Sequence, residues 1–364
     1  MAHDPWHYPR TVLAQQILGM FETGLSSSLV FFAPRRMGKT EFLYKDILPV
    51  AKASGWKVLY FSFLDADSNA SIEFTKALLK FSEEIGIVSK AKRLLKHVNK
   101  VSAKAGGIQA AVEFNTAESI YEDVKEIIQY LAKQGKILLL MDEVQVLAQD
   151  PDNAKFVAAL RTALDLNKDT VKVVFTGSSQ EGLRRMFSQA KAPFFHFGQN
   201  LPFPHLERDF TDHLANMFEK ITQRKLNTEH LWEIFQEMQK VPQLARSLVE
   251  RLALNPGLSI TQANKQLLAE VVTDRAFAEH WDRCSTLEKL LLHEVATDSG
   301  TLFSTTTRQR FAKILGINNL STSTVQSAVR TLMRKNLIGR HSDQNGNYYI
   351  EDAHFKSWLS QLEI

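Results

Sequence analysis

The stretch FFAPRRMGKTEFL, residues 31–43, decides the fold of this chain. It starts in an apolar run and bends before the tripeptide Gly-Lys-Thr at residues 38–40. Except for Ala33 in place of the usual first glycine, residues 33–40 fit the pattern of a phosphate-binding loop. Such a loop turns its backbone N–H groups inward around phosphate groups, and glycine keeps that approach open. The stretch therefore predicts a strand, an anion-binding loop and a helix, in that order.

The side chains of this bend suit a nucleoside triphosphate. Lys39 supplies a positive charge for the β and γ phosphates, and the hydroxyl of Thr40 can bind Mg²⁺. Arg35 and Arg36 either reach a phosphate or anchor the loop through an acidic neighbour. The helix that begins here directs the positive end of its dipole at the same anion. The predicted nucleotide contacts are Pro34, Arg35, Arg36, Met37, Gly38, Lys39, Thr40 and Glu41.

An acidic motif follows much later in the chain. The apolar run ILLLM, residues 137–141, ends in Asp142 and Glu143. A carboxylate pair at the end of a buried strand places one acid on Mg²⁺ and the next beside an attacking water. Taken alone, Gly-Lys-Thr can be an accidental turn and Asp-Glu an ordinary strand end. Together and in this order they predict an ATP and Mg²⁺ site, with Thr40 and Asp142 on the metal and Lys39 and Glu143 catalytic.

The base is expected to be adenine. A guanine site would carry Asn-Lys-x-Asp at the end of a buried strand. The nearest resemblance, Asn167-Lys168-Asp169, has the wrong spacing and lies in a polar turn.

Short apolar runs alternate with longer helical patterns in the first part of the chain. This alternation predicts an α/β fold, a P-loop NTPase core whose parallel sheet is covered on both faces. The fourth strand is expected between the loop strand and the acidic strand. Its end carries Thr176, Ser178 and Ser179, and Ser178 is the candidate for contacting the γ-phosphate or the lytic water. The predicted strands are residues 29–33, 57–63, 137–141, 171–176 and 194–201.

Strand signals stop after this core, and helical patterns follow. Near the end of the chain, three helical patterns precede Asn345-Gly346, which is a strong hairpin turn signal, and the strand-like residues 348–350. Three helices and a hairpin are typical of a winged helix. The expected units are a P-loop ATPase core at residues 1–206, a helical lid at 207–282 and a winged helix-turn-helix domain at 283–364.

Four pieces of the sequence together resemble the archaeal-type ATPases. They are FFAPRRMGKT, DEVQ with Gln145, TGSS, and a C-terminal region that closes in Asp352, Phe355 and Trp358. These ATPases belong to the AAA+ and STAND P-loop NTPases, and the chain is similar to the MNS-like clade. The resemblance covers most of the chain. It implies an additional-strand P-loop core, a helical lid, and a winged helix that binds DNA or packs against the core.

The same resemblance implies nucleotide contacts from the lid. A motif near Pro242 is expected to touch the base, and Lys240 stands where a glycine is usual. A relative of this kind needs a cation that neutralises charge on the γ-phosphate. Arg246 is the candidate cis sensor, whereas Arg184 and Arg185 are candidates for a finger supplied to a neighbouring subunit. The alternative for each is a surface arginine in water.

The sequence contains two basic patches that are candidates for binding a nucleic acid. Segment 89–107 contains no acid and either follows a nucleic-acid backbone or forms a solvated helix face. The second patch surrounds the third helix of the last unit, where a recognition helix would enter the major groove of double-stranded DNA. Acidic residues nearly balance that unit, so a protein-packing role stays equally open. The basic residues are Lys90, Lys92, Arg93, Lys96, Lys100 and Lys104, then Arg330, Arg334, Lys335 and Arg340.

Composition limits the remaining function classes. The chain has 364 residues, 44% of them hydrophobic and 23% charged, with a formal net charge of +4. One cysteine, Cys284, leaves neither an intramolecular disulfide nor a Cys-rich zinc site. No basic leader precedes an apolar core, and no run reaches the roughly 20 apolar residues of a membrane span. We therefore expect a cytoplasmic protein without a membrane partner.

The leading interpretation is an Mg²⁺-dependent ATPase whose nucleotide state controls the lid and the winged helix. Its target would be DNA or a protein partner, which includes a second copy of the chain. The rival is a slow or non-hydrolysing ATP-dependent switch that regulates by binding DNA.

Overall fold

The computed structural model describes most of the chain. Two sequence expectations, the basic segment 89–107 and the turn at Asn345-Gly346, lie outside the described residues. The described residues are 4–66, 70–86, 116–148, 150–188, 192–272, 275–297, 302–335, 337–340, 348–360 and 362.

A five-stranded parallel sheet forms the first part of the molecule. Its spatial order is β2-β3-β4-β1-β5, so β4 lies between the loop strand β1 and the acidic strand β3, as predicted. This arrangement confirms the P-loop NTPase fold class. The strands are β1 (Ser28–Phe32), β2 (Lys57–Ser62), β3 (Ile137–Asp142), β4 (Val171–Gly177) and β5 (Gln199–Pro202).

The fifth strand is shorter than predicted. The sequence predicted residues 194–201, but the strand covers only Gln199–Pro202 and the preceding residues form turns. Phe194 is fully buried against Phe175 and Phe187, with ring centroids 5.4 Å and 5.3 Å apart. His196 has a φ of 56°, in the left-handed region. An aromatic-rich run that suggested a strand is thus a turn whose rings fill the core.

Helices cover both faces of the sheet. Alternate residues of a strand point to opposite faces, and β3 feeds two separate apolar clusters. Leu138 and Leu140 belong to the first cluster, and Leu139 and Met141 to the second. The core helices are α1 (Thr11–Glu22), α2 (Lys39–Glu41, then the π-helical Phe42–Ile47 and Leu48–Ala53), α3 (Ala70–Glu84), α4 (Thr116–Ala132), α5 (Ala154–Leu166) and α6 (Gln180–Leu183, then the π-helical Arg184–Ser188).

After β5 the chain is helical until a short hairpin near its end. Strands β6 (Ile338–Arg340) and β7 (Tyr348–Ile350) pair antiparallel and, with three preceding helices, complete the winged helix. Among the described helices, none is both long and apolar enough to cross a bilayer. The helices are α7 (Arg208–Thr222), α8 (Thr228–Glu237), α9 (Pro242–Leu254), α10 (Ile260–Val272), α11 (Arg275–Asp282), α12 (Thr286–Ala296), α13 (Thr305–Ile314), α14 (Thr322–Arg334) and α15 (Ala353–Leu359).

The segment before α1 is tied to the helix that follows the loop. His7 Nε2 lies 2.9 Å from Asp46 Oδ1, and His7 Nδ1 lies 3.9 Å from Glu41 Oε2. The backbone N–H of Arg10 donates to the same Asp46 oxygen at 3.2 Å. Hydrogen bonds to Asp46 and Glu41 raise the pKa of His7 to about 9, because they favour the imidazolium over the neutral ring. A charged histidine therefore fastens the N-terminal segment to α2.

Replacing this histidine should lower stability in a pH-dependent way. A raised pKa stabilises the fold fully below the unfolded value near 6.5, and the stabilisation is lost as the pH rises through about 9. In denaturant titrations at about pH 6, we expect His7→Gln to lower the free energy of unfolding by up to about 3 kcal/mol. The deficit should shrink well above about pH 9, and a deficit that is equal at both pH values would contradict the charged contact.

Candidate functional site

The loop between β1 and α2 has the shape that its sequence predicted. Gly38 has φ 85°, in the left-handed region that glycine adopts without strain, and Arg36 is held at φ 70°. Lys39 is only 4% exposed, and its Nζ donates to the carbonyl oxygens of Ala33 at 2.7 Å and Pro34 at 3.0 Å. Burial lowers the pKa of Lys39, while the charges of Glu143 and Asp142 oppose that effect. An ammonium group thus lies inside the bend.

The other predicted loop contacts divide by exposure. Met37 is buried and packs in the core, so its side chain serves the loop's shape. Arg35 and Thr40 are exposed, and Glu41 is half-buried. Of these residues, Thr40 contacts the acidic motif at Asp142.

Asp142 is the meeting point of the site. It is 1% exposed at the end of β3. Thr40 Oγ1 donates to its Oδ2 at 2.5 Å, which joins the loop to the acidic strand as the sequence predicted. Oδ2 also accepts from Tyr60 at 3.2 Å, and Oδ1 accepts from Thr176 and from the backbone N–H of Glu143 at 3.1 Å. A hydroxyl and a carboxylate this close are the hard oxygen donors that suit Mg²⁺.

Tyr60 is a site residue that the sequence reasoning missed. It lies on β2, which pairs in parallel with β3 so that Tyr60 is opposite Leu140. Burial raises the pKa of its hydroxyl, and the neighbouring charge of Asp142 adds to that effect. The available signal was the position of this tyrosine near the carboxyl end of a strand predicted to lie in the same sheet.

Glu143 lies beside the lysine and the end of β4. Its backbone is left-handed, with φ 54°, and its Oε1 is 3.9 Å from Lys39 Nζ. Oε2 accepts from the backbone N–H of Ser178 at 3.2 Å and from its hydroxyl at 2.6 Å. The two predicted residues Glu143 and Ser178 are therefore in direct contact. Gln145 Nε2 donates to the same Oε2.

Gln145 is enclosed by two glycines. It is 4% exposed, and a Cβ on Gly177 would collide with its Oε1. A Cβ on Gly182 would lie 2.7 Å from the Cβ of Gln145. Real Cβ atoms essentially never come this close, so both glycines leave room for the glutamine that orients Glu143.

The candidate arginines lie in two places. Arg184 and Arg185 are exposed on the π-helical end of α6. Arg246 on α9 lies 3.4 Å from Glu41 Oε1 and 3.5 Å from Asp4 Oδ2, next to the first turn of α2. The lid arginine is thus brought to the residue that follows Thr40, where it pairs with acids.

Lys240, which stands where the lid motif usually has a glycine, has the backbone conformation that glycine favours. Pro242 is buried at the start of α9, and Lys240 just before it has φ 54°. A left-handed residue favours glycine, which accounts for the glycine expected there. Lys240 Nζ is held by both carboxylate oxygens of Glu207, at 2.7 Å and 2.6 Å.

The chain matches one family of known proteins. A family model described as an ATPase domain predominantly from Archaea matches residues 10–237. No curated protein matches the sequence.

Two solved structures share the fold over nearly the whole chain. A Walker-type ATPase of Pyrococcus abyssi is 14% identical with a TM-score of 0.64, and the match covers 98% of this chain and 99% of that one. The ORC2 protein of Aeropyrum pernix, solved with ADPNP and ADP, is 14% identical with a TM-score of 0.54, over 96% and 91% of the two chains.

The packing around Gln145 gives a steric prediction. Gly182→Ala should lower the free energy of unfolding by about 1–3 kcal/mol, because the added methyl group forces the glutamine to move. The matched control is Gly19→Ala in α1, where no atom lies within 4 Å of the added Cβ. That control should be neutral or more stable by about 0.5–1 kcal/mol. Equal stability of the two variants in urea would contradict the tight contact.

Proposed function

The chain belongs to the family of ATPase domains predominantly from Archaea, and we propose that it is an Mg²⁺-dependent enzyme that binds and hydrolyses ATP. The observation that carries the proposal is the contact of Thr40 with Asp142, 2.5 Å apart, with Glu143 alongside. A binding loop, a metal-ligand pair and a base candidate thereby converge on one edge of the sheet. In open α/β sheets, ligands commonly bind outside the carboxyl ends of the parallel strands.

In this proposal the loop holds the phosphates. Backbone N–H groups around Gly38 and the ammonium of Lys39 contact the β and γ phosphates. Thr40 and Asp142 hold Mg²⁺, which neutralises charge on the phosphates when bound. Tyr60 and Thr176 fix the orientation of the Asp142 carboxylate by donating hydrogen bonds to it.

Glu143 is the proposed general base. Its carboxylate orients or deprotonates the attacking water. Ser178 and Gln145 donate to one of its oxygens, which leaves Oε1 on the side of Lys39. Ser178 therefore both positions the base and lies within reach of the water.

The lid and a second subunit would complete the site. Pro242 contacts the base of the nucleotide, and Arg246 acts as the cis sensor after exchanging Glu41 for a phosphate oxygen. Arg184 and Arg185 are exposed, which suits a finger offered to a neighbouring copy. Nucleotide state would then alter how the lid and the winged helix lie on the core.

Two substitutions separate binding from hydrolysis. Lys39→Ala should weaken ATP binding at least about 10-fold, since a buried charged donor is lost. Glu143→Gln should keep ATP binding but lower turnover by about 10²–10⁴-fold, since the general base is removed. Calorimetry measures the first effect and phosphate release the second.

The control for these variants is Lys52→Ala, an exposed lysine near the other end of α2. It should match the wild type in both assays. A wild-type protein that gives no binding heat with Mg²⁺ and ATP would overturn the proposal.

A second candidate is an ATP-dependent regulator that binds DNA through α14. Val325, Val329 and Leu332 bury one face of this helix. Ser321 caps its N-terminus by accepting from the backbone N–H of Thr324 at 3.1 Å. The opposite face is polar and basic, as a helix that enters the major groove would need. The exposed residues of that face are Gln326, Ser327, Arg330 and Arg334.

The double substitution Arg330→Ala and Arg334→Ala tests this second role. Fluorescence anisotropy with duplex DNA should show weaker binding and a slope against log salt that is shallower by about 0.9 for each phosphate that is no longer neutralised. Arg283→Ala, an arginine 75% exposed near the end of α11, is the matched control and should bind as the wild type does. Unchanged affinity and slope in the double variant would exclude α14 as the DNA-binding helix.

Turnover measured with and without the same duplex separates the two candidates. Stimulation by DNA would support a DNA-activated enzyme. Slow, unstimulated turnover together with nucleotide-dependent DNA binding would support the switch.

A further inference from the structure

The hairpin of the winged helix lies against the phosphate-binding loop. Tyr349 on β7 packs on Phe32 at the end of β1, with ring centroids 6.0 Å apart. Strand β6 lies against α6, the helix that follows the end of β4. The two residues after β7, Glu351 and Asp352, are acidic, and we call them the acidic tip.

Both members of the acidic tip act on cations of the loop. Asp352 Oδ1 lies 4.0 Å from Arg36 Nη1. Glu351 is only 6% exposed. Its charge also opposes the lowering of the pKa of Lys39, but less than the charges of Glu143 and Asp142 do. The backbone N–H of Glu351 donates to the carbonyl of Leu337 at 3.1 Å, so the backbone of Glu351 is fixed by a contact within the winged helix. Arg36 thus has the acidic neighbour that the sequence left open as one of two alternatives.

We propose that the acidic tip competes with the phosphates of ATP for Arg36 and Lys39, so that ATP binding moves the tip away from the loop. This inference rests on the proposed nucleotide site. It names the wing carboxylates as an internal anion that has to be displaced, which makes the winged helix an inhibitor of its own P-loop.

The electrostatics favour competition over coexistence. A carboxylate as buried as Glu351 is costly unless cations compensate for its charge. When phosphate groups take those cations, the acidic tip faces like charges at short range and is repelled. Arg36 is also held with a positive φ, which persists only where the surroundings impose it, and the contact with Asp352 is part of those surroundings.

The movement of the tip would reach the lid. Asp352 Oδ1 accepts from the backbone N–H of Phe355 at 3.2 Å and so caps α15. Helix α15 in turn contacts α10 of the lid. A displaced tip therefore moves the end of a helix that touches the lid, which connects phosphate binding to the C-terminal half of the chain.

A purely structural role for the tip makes a different prediction. If Asp352 only caps α15, then Asp352→Asn should have no effect on nucleotide binding, because asparagine caps helices as well as aspartate does. If Glu351 only fills space, then Glu351→Gln should be equally silent. Both substitutions keep the shape and remove the charge.

The test is calorimetric titration of the full chain with Mg²⁺ and ATP. The double variant Glu351→Gln, Asp352→Asn should bind ATP at least about 10-fold more tightly than the wild type, with a smaller gain for ADP, which has one phosphate fewer. Glu279→Gln removes one charge from an exposed residue of α11 that pairs with Arg283, and it should leave the affinity unchanged.

Hydrogen exchange of residues 348–360 gives a second measurement. ATP should speed exchange there in the wild type, whereas the double variant should exchange fast without nucleotide. Two results together would overturn this inference and leave the proposed ATPase intact. The wild type and the double variant would bind ATP with equal affinity, and ATP would not change the rate of hydrogen exchange at residues 348–360. A failure of both proteins to bind ATP would overturn the ATPase proposal and the inference with it.

Discussion

The carboxylate of Asp142 is the constraint on which the site depends. Donors from the loop helix, β2, β4 and the chain just after β3 all reach it, and it is almost completely buried. A buried carboxylate is tolerated only when it is well hydrogen-bonded, so these elements must arrive in one register. The parallel pairing of β3 with β2 and β4 provides that register. The same strand pairing therefore determines both the fold and the positions of the candidate site residues.

The sequence predicted the parts of the site that are local in the chain. Gly38, Lys39 and Thr40 follow β1, and Asp142 and Glu143 lie at the end of β3. Both strands pair in parallel with β4, so their carboxyl ends lie at the same edge of the sheet. Their contact followed from topology alone. The contact of Tyr60 with Asp142 and the packing of Gln145 against Gly177 and Gly182 depend on side-chain directions, which periodicity does not define. The pairing of Arg36 with Asp352 joins opposite parts of the chain, and only the docked hairpin shows it.

Errors of the sequence reasoning also had local causes. The fifth strand was drawn too long because a run of phenylalanines resembles a strand whether its rings fill a turn or a sheet face. Lys240 stands where a glycine is expected, its backbone has a left-handed φ of 54°, and its side chain donates to Glu207. At such a position the backbone conformation is the one that glycine favours although the residue is different, so a comparison of motif residues alone does not detect the similarity.

The two faces of β3 differ in what they support. The cluster that contains Leu138 and Leu140 continues without a break through α7 and α9 into the helices of the winged helix, whereas the cluster with Leu139 and Met141 stays within the core. The C-terminal half is therefore packed on the core through a continuous apolar cluster, and we expect the two to unfold together on heating. A displacement of the hairpin that keeps this shared apolar cluster buried costs less free energy than one that exposes it to water.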